Sequence, residues 1–342
     1  MVQFLSALHT LTPQPTFPFY VLGKQYWTEK SIKNTEGLTL VFLHAVGLHK
    51  ETWEVTIEHL LGLDEASPQP KIRDVFSIES PNHGESAALN QEAVDKHYGD
   101  TWPTRVIAEA AYAFLSAGAS QGAKIDFRKR KLVGIGHSIG AAALFLTRDI
   151  SPQIPFLSVI GVEPGISVKG LQDTDVSSQM LTAYTWLRRD VWSTRKSAKK
   201  DLEASPVHAA WDARVLDLYV KHGLKTHHAA KYALPFSFNG VTTCVTKDQE
   251  AACYRSDHLV VDAMEAYTHM TQEVPVHVIF GSVHDVGNPE LQALLSDKKA
   301  GRRPASISYI EGAGHLVVQQ QPEAVAEVIN GLLPSPPVQA RL

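Results

Sequence analysis

Ser138 stands in the middle of "KLVGIGHSIGAAALF", with Gly136 and Gly140 two positions away on either side. The apolar run before it reads as a buried strand, and a helix of small residues follows at once. A Gly-x-Ser-x-Gly turn between strand and helix is so tight that flanking side chains would collide, and glycine removes the collision. The serine hydroxyl is left above the sheet, where the first N–H groups of the helix point and an anion is favoured. That is the setting of a nucleophile. Its base must come from elsewhere in the chain. His315 lies in "EGAGHLVV", directly after the last strand pattern, from where an imidazole can reach Ser138 Oγ and accept its proton.

The elements around these two residues follow one rhythm. From Leu38 onward short apolar runs alternate with helical patterns, which is the signature of a parallel sheet. "LTLVFLHAVG", "KIRDVFSIES", "KLVGIGH" and "FLSVIGVEPG" read as strands. The rhythm breaks at Ile166 and resumes near Met270 with "VPVHVIFGS", "ASISYIEGAGH" and the helix "PEAVAEVINGLL". Between them the chain reads as mostly helical, rich in Trp, Tyr, Lys and Arg, without a buried strand. A core of residues 1–165 and 271–342 with a helical insertion of residues 166–270 is therefore expected.

Bulk properties narrow the function. The 342 residues are 44% hydrophobic and 20% charged with a net charge of −4, an ordinary globular balance that gives no reason to expect nucleic acid. The longest apolar runs are strand-sized, so no transmembrane segment is expected. "MVQFLSALHT" lacks a cationic start and a small-residue cleavage site, so a signal peptide is not expected either. Cys244 and Cys253 are too few for a disulfide framework, which suits a reduced, intracellular protein. No histidine pair shows metal-ligand spacing, so neither a metal nor a cofactor is expected. The ending Ala340-Arg341-Leu342 is a small–basic–Leu variant of the S-K-L peroxisomal address, which an import receptor reads.

"LVFLHAVGLHKETWE", "SPNHGES", "GHSIG" and "GAGHLVVQQQPEAV" stand in the order and spacing of the α/β-hydrolase fold, which this chain resembles over nearly its whole length outside the insertion. More narrowly, "SVIGVEPG", "RRDVWSTRKSA", "WDARVLDLYVKHGL" and "CVTKDQEAACYR" are similar to segments of the peroxisomal α/β hydrolases of fungi. That group includes hydrolases of host-selective-toxin biosynthesis, an acyl-CoA hydrolase of the mycophenolic acid pathway and a yeast peroxisomal lipase. The resemblance implies a mostly parallel eight-stranded sheet flanked by helices, with the insertion after strand 6 forming a lid. It implies an oxyanion hole made by the backbone N–H groups of Ile139 and Val46, although "HAVG" carries alanine where the fold usually has His-Gly-x. His83 in "SPNHGES" reads as a turn-shaping residue. A serine at the elbow excludes the epoxide hydrolases and dehalogenases of this fold, which need a carboxylate there.

Two carboxylates compete to orient His315. Asp285 follows the seventh strand, the commoner place in this fold, but stands one residue beyond the usual Gly-x-x-Asp spacing. Glu163 ends the sixth strand, beside the elbow strand, where the mycophenolic-type hydrolase takes its acid. The offset and the resemblance favour Glu163. In the insertion, Arg188, Arg189, Arg195 and Lys196 (with Lys199 and Lys200 beyond) form a basic patch that would suit coenzyme A phosphates, or simply a solvated helix face. Trp186, Trp192, Trp211, Phe236 and Phe238 would suit a greasy acyl chain, or core packing. The expected activity is a serine hydrolase cleaving an acyl-CoA thioester. A carboxylester hydrolase or lipase, and a non-catalytic binding scaffold, are the alternatives. A homodimer is compatible with each.

Overall fold

The computed structural model describes residues 4–334 apart from 100, 104, 256, 287 and 288. The C-terminal tripeptide Ala340-Arg341-Leu342 lies outside the described residues.

Eleven strands occur in chain order: β1 (Leu5–Leu11), β2 (Val21–Trp27), β3 (Leu38–Leu43), β4 (Ile72–Ile78), β5 (Lys131–His137), β6 (Phe156–Val162), β7 (Val191–Trp192), β8 (Leu224–Thr226), β9 (Val241–Thr243), β10 (Val276–Gly281) and β11 (Ser306–Ile310). Eight of them form one sheet in the order β1-β2-β4-β3-β5-β6-β10-β11. The six from β4 to β11 are parallel, and β2 and β1 are added antiparallel at one edge. The central strands are covered on both faces, which is why they read as unbroken apolar runs: all six residues of β3 are buried, as are Leu132, Val133 and Ile135 of β5. Each aliphatic or aromatic side chain among them contributes about 1.5–3 kcal/mol by leaving water.

The helices are α1 (Glu54–Ala66), α2 (Gly84–His97), α3 (Arg105–Ser116), α4 (Ile139–Leu146), α5 (Gln172–Leu187), α6 (Arg195–Glu203), α7 (Ala213–His222), α8 (Lys247–Tyr254), α9 (Asp257–Glu273), α10 (Pro289–Leu294), α11 (Val317–Gln320) and α12 (Pro322–Leu332). Helix α4 is buried on every side, and its run of alanines lets α3 and α9 pack closely against it. Helix α1 packs on α12 across the other face of the sheet.

The insertion after β6 is mostly helical, as expected, but not helical throughout. It contains the three-stranded antiparallel sheet β7-β9-β8, whose strands of two or three residues are too short to leave a period-two pattern. Its last helix, α9, packs on α4 and puts Ala263, Met264, Tyr267 and Met270 into the main core. The expected boundary at residue 270 thus runs through a helix that belongs to the layer around the sheet. The rest of the insertion has its own cluster, in which Trp192, Trp211, Val215 and Tyr219 join Ala45, Leu48 and Val55 of the core. Through this cluster the insertion rests on the loop after β3.

Candidate active site

Ser138 sits at the junction of β5 and α4 with φ 54° and ψ −119°, a conformation that costs a non-glycine residue on the order of 1–3 kcal/mol. The two flanking glycines are explained by space. A Cβ on Gly136 would stand 2.5 Å from the backbone of Gly140 and Ala141, and one on Gly140 would stand 2.5 Å from the Leu43 carbonyl oxygen. The tight turn therefore fits only if both positions lack side chains. Glu163, at the end of the adjacent strand β6, is also held at positive φ (45°). Backbone strain at two neighbouring strand ends in one pocket is the pattern of a site held in place by its surroundings.

His315 bridges them. Its Nε2 lies 3.0 Å from Ser138 Oγ, and its Nδ1 lies 3.2 Å from Glu163 Oε2. Glu163 Oε1 accepts from the Gly281 N–H at 2.7 Å, so both carboxylate oxygens are engaged and the group cannot swing away. A proton on Nδ1 facing the carboxylate leaves the Nε2 lone pair facing the serine hydroxyl, which is the tautomer a general base requires. Asp285 reaches the same histidine by a different atom: its Oδ1 accepts from the His315 backbone N–H at 2.7 Å. His137, immediately before the serine, grips the other side of that residue through Nε2 and the His315 carbonyl oxygen at 2.8 Å. Burial pushes the pKa of His137 down to about 3, so it stays neutral and its Nε2–H donates. The main chain of His315 is thus clamped by Asp285 and His137, and its ring by Glu163.

The expected oxyanion donors are brought together. Val46 and Ile139 line the same cavity as Ser138. Ile139 is the first residue of α4, where an N–H has no partner within the helix. The loop carrying Val46 is braced by two neutral histidines. His44 donates through Nδ1 to the Ala45 carbonyl oxygen (2.8 Å) and accepts at Nε2 from the Ser80 N–H (3.0 Å). Burial pushes its pKa down to about 4. His83 accepts from the Gly47 N–H at 2.9 Å while its Nδ1–H donates to Asn82 Oδ1 at 2.7 Å, and burial lowers its pKa as well. Ala45, in place of the usual glycine, is buried in the cluster shared with the insertion, so its methyl group has a place to go.

The cavity at Ser138 has a volume of about 330 Å³, at the lower end of the range for small-molecule sites. Ile166, Leu181, Val260, Phe280, Leu291 and Leu295 give it an apolar wall. Neither the tryptophans nor the phenylalanines singled out in the insertion line it: Trp192 and Trp211 are packing residues, and Phe236 is 80% exposed. The basic patch is also dispersed. Arg188 is largely buried and ion-paired with Glu250, and that carboxylate packs over Gly47 of the loop that carries Val46. Arg195 donates to the carbonyl oxygens of Val220 and Leu224, at the end of α7 and the start of β8. Lys199 pairs with Asp217 at 2.5 Å. Arg189 and Lys196 remain exposed but do not line the cavity. Among the described residues, the cation on its wall is Lys169, an exposed residue that composition could not single out.

His49, Glu51 and Glu79 converge within 4.8 Å, close enough in type and distance to suggest a metal site. Lys50 answers for them: its Nζ lies 3.1 Å from Glu51, 3.3 Å from Glu79 and 2.8 Å from Glu85. An ammonium already fills the place of a cation.

Residues 40–328 match the Alpha/beta hydrolase family. The chain belongs to that family. Among curated proteins, the chain is 24% identical to the abhydrolase domain-containing protein AFT2-1 of Alternaria alternata, over 59% of this chain and 82% of that one. It is 27% identical to the type I acyl-CoA thioesterase mpaH of Penicillium brevicompactum, over 55% of this chain but 40% of mpaH. Among solved structures, the peroxisomal alpha-beta-hydrolase Lpx1 of Saccharomyces cerevisiae superposes with a TM-score of 0.74 at 20% identity, covering 96% of this chain and 87% of Lpx1. At that identity the match shows the shared fold. No described helix is long and apolar enough to cross a membrane.

Proposed function

We propose that this chain is a serine hydrolase that cleaves an acyl-CoA thioester through an acyl-enzyme on Ser138. The observation that carries the reading is the line of hydrogen bonds from Ser138 through His315 to Glu163, ending in an apolar cavity. Ser138 Oγ attacks the acyl carbonyl carbon as His315 Nε2 takes its proton, and the N–H groups of Val46 and Ile139 receive the oxyanion. The tetrahedral species collapses with loss of the thiolate, which takes the proton from the imidazolium. Water then enters, His315 accepts its proton, and the acyl group leaves as a carboxylic acid with Ser138 restored. Glu163 stabilises the imidazolium at both stages.

The apolar wall would hold the acyl group, and the thioester assignment is supported by the mpaH relative. Arg188 and Arg195 are both bonded within the protein and so not free for phosphate; Lys169 is the better candidate for a coenzyme A contact. The segment from 166 to about 254 would form the lid over the cavity.

Purified protein assayed on acyl-CoAs and on matched oxygen esters decides the substrate class. A preference of at least about tenfold in kcat/KM for the thioester is expected, the size of a single well-made contact. Equal or better turnover of the oxygen ester would make the chain a carboxylester hydrolase. Failure of a fluorophosphonate to label Ser138 in folded protein would leave a binding scaffold.

The peroxisome is the proposed location, supported by Ala340-Arg341-Leu342 and by the yeast relative's description as peroxisomal. A fluorescent protein carrying this tripeptide is expected to collect in peroxisomes. A diffuse cytosolic signal would defeat the assignment.

A further inference from the structure

The insertion carries a loop whose apolar side chains its own fold does not cover. Residues 227–240 connect β8 to β9, and the base of the loop is well bonded: the His227 N–H donates to the Gly240 carbonyl oxygen at 2.9 Å, and the Ala229 N–H to His227 Nδ1 at 3.1 Å. Phe238 packs edge-on against the His227 ring at 5.1 Å. Beyond that base, Tyr232, Leu234 and Phe236 are 56%, 85% and 80% exposed. None of them lines the cavity. A run of large apolar residues standing out from a bonded base marks an interaction surface.

Charge indicates what the surface meets. Residues 218–247 hold Lys221, Lys225, Lys231, Lys247 and three histidines (His222, His227 and His228), with no aspartate or glutamate, in a chain whose net charge is −4. Lys231 and Lys221 are exposed, and Lys231 Nζ lies 5.4 Å from the centre of the Tyr232 ring. Lys225 donates to Gln91 of α2, and the charge of Asp95 on the same helix also reaches Lys225 and His228. Lys247 is held by Asp190 at 3.2 Å. A second copy of the chain could cover Leu234 and Phe236 but would give no reason for thirty residues without an acid. A nucleic acid would use the lysines and leave the apolar tip in water. An anionic phospholipid surface uses both, because aliphatic and aromatic side chains enter the acyl boundary while lysines meet phosphates.

We propose that the β8–β9 loop is a docking tip for an anionic phospholipid surface, with Leu234 and Phe236 entering the bilayer by about 5–10 Å and Lys221 and Lys231 at headgroup level. Docking there would keep the enzyme where amphiphilic acyl compounds partition. That consequence rests on the hydrolase reading above; the docking itself does not, and the test reads docking alone.

The full-length protein is centrifuged with vesicles of phosphatidylcholine and with vesicles of phosphatidylcholine plus phosphatidylserine. It is expected to sediment with the second, weakly with the first, and to be released by high salt. Leu234→Ser with Phe236→Ser is expected to lower the partition coefficient at least about tenfold, and Lys231→Glu severalfold, since binding draws on both buried apolar area and charge. These side chains are exposed, so the thermal midpoint and fluorophosphonate labelling of Ser138 should not move, which separates lost docking from a lost fold. The proposal is overturned if the wild-type protein binds neither vesicle, or if the double substitution binds as well as wild type. It is equally overturned if the protein is a dimer that the double substitution dissociates while no vesicle binding is seen, because the loop then joins two copies.

Discussion

Ser138→Ala is expected to lower kcat by about 10⁶ while leaving the fold unchanged, because it removes one hydroxyl and nothing that packs. The oxygen is the atom that would form the acyl bond, and its partner in the structure is His315 Nε2 at 3.0 Å. Alanine inherits the positive φ of 54°, which it tolerates no better than serine, so the turn stays as strained as before. Any residual rate over water would come from the N–H groups of Val46 and Ile139 and from the apolar cavity. The check is steady-state turnover together with fluorophosphonate labelling and the thermal midpoint. Activity above about a few per cent of wild type, in protein that no longer labels, would mean that another group attacks and that the reading of the elbow is wrong.

What the sequence made legible here was whatever depends on neighbours along the chain. The elbow could be read because strand, glycine spacing, serine and helix are contiguous, and the close approaches at Gly136 and Gly140 are their physical cause. The parallel strands could be read because burial on both faces makes them continuous apolar runs. The hairpin β1-β2 leaves no such mark, because it is antiparallel at the sheet edge and β1 is largely exposed. Partners distant in sequence were the least legible. Arg188 and Arg195 look like surface charge until Glu250 and the carbonyl oxygens of Val220 and Leu224 are seen beside them. The five tryptophan and phenylalanine positions that look alike by composition divide between an interior (Trp192, Trp211) and an exposed surface (Trp186, Phe236, Phe238), a division set by tertiary packing alone. Lys169 gave no signal at all, being one lysine in a short turn.

The two carboxylates near His315 are distinguished by which atom each holds, and their substitutions should diverge accordingly. Glu163→Gln is expected to lower kcat by about 10⁴. Gln can still accept from the Gly281 N–H through its carbonyl oxygen, but its NH₂ then faces His315 Nδ1. That donor favours the ring tautomer with its proton on Nε2, pointing at Ser138 Oγ, which disables the base and withdraws the charge that stabilises the imidazolium. Asp285→Asn should cost no more than about tenfold, because an amide oxygen can still accept the His315 backbone N–H that Asp285 now accepts at 2.7 Å. Asp285→Ala removes that acceptor and should cost more than Asp285→Asn, as the loop loses one of its two clamps while His137 keeps the other. A positioning role therefore predicts partial rescue by the amide, whereas an orienting acid predicts that the amide fails. The measurement is kcat for all three variants under saturating substrate, with folding checked by thermal midpoint. Should Asp285→Asn prove the crippled enzyme and Glu163→Gln the mild one, the acid of this site is the carboxylate after β10, and the contact seen between His315 Nδ1 and Glu163 is not the one used in turnover.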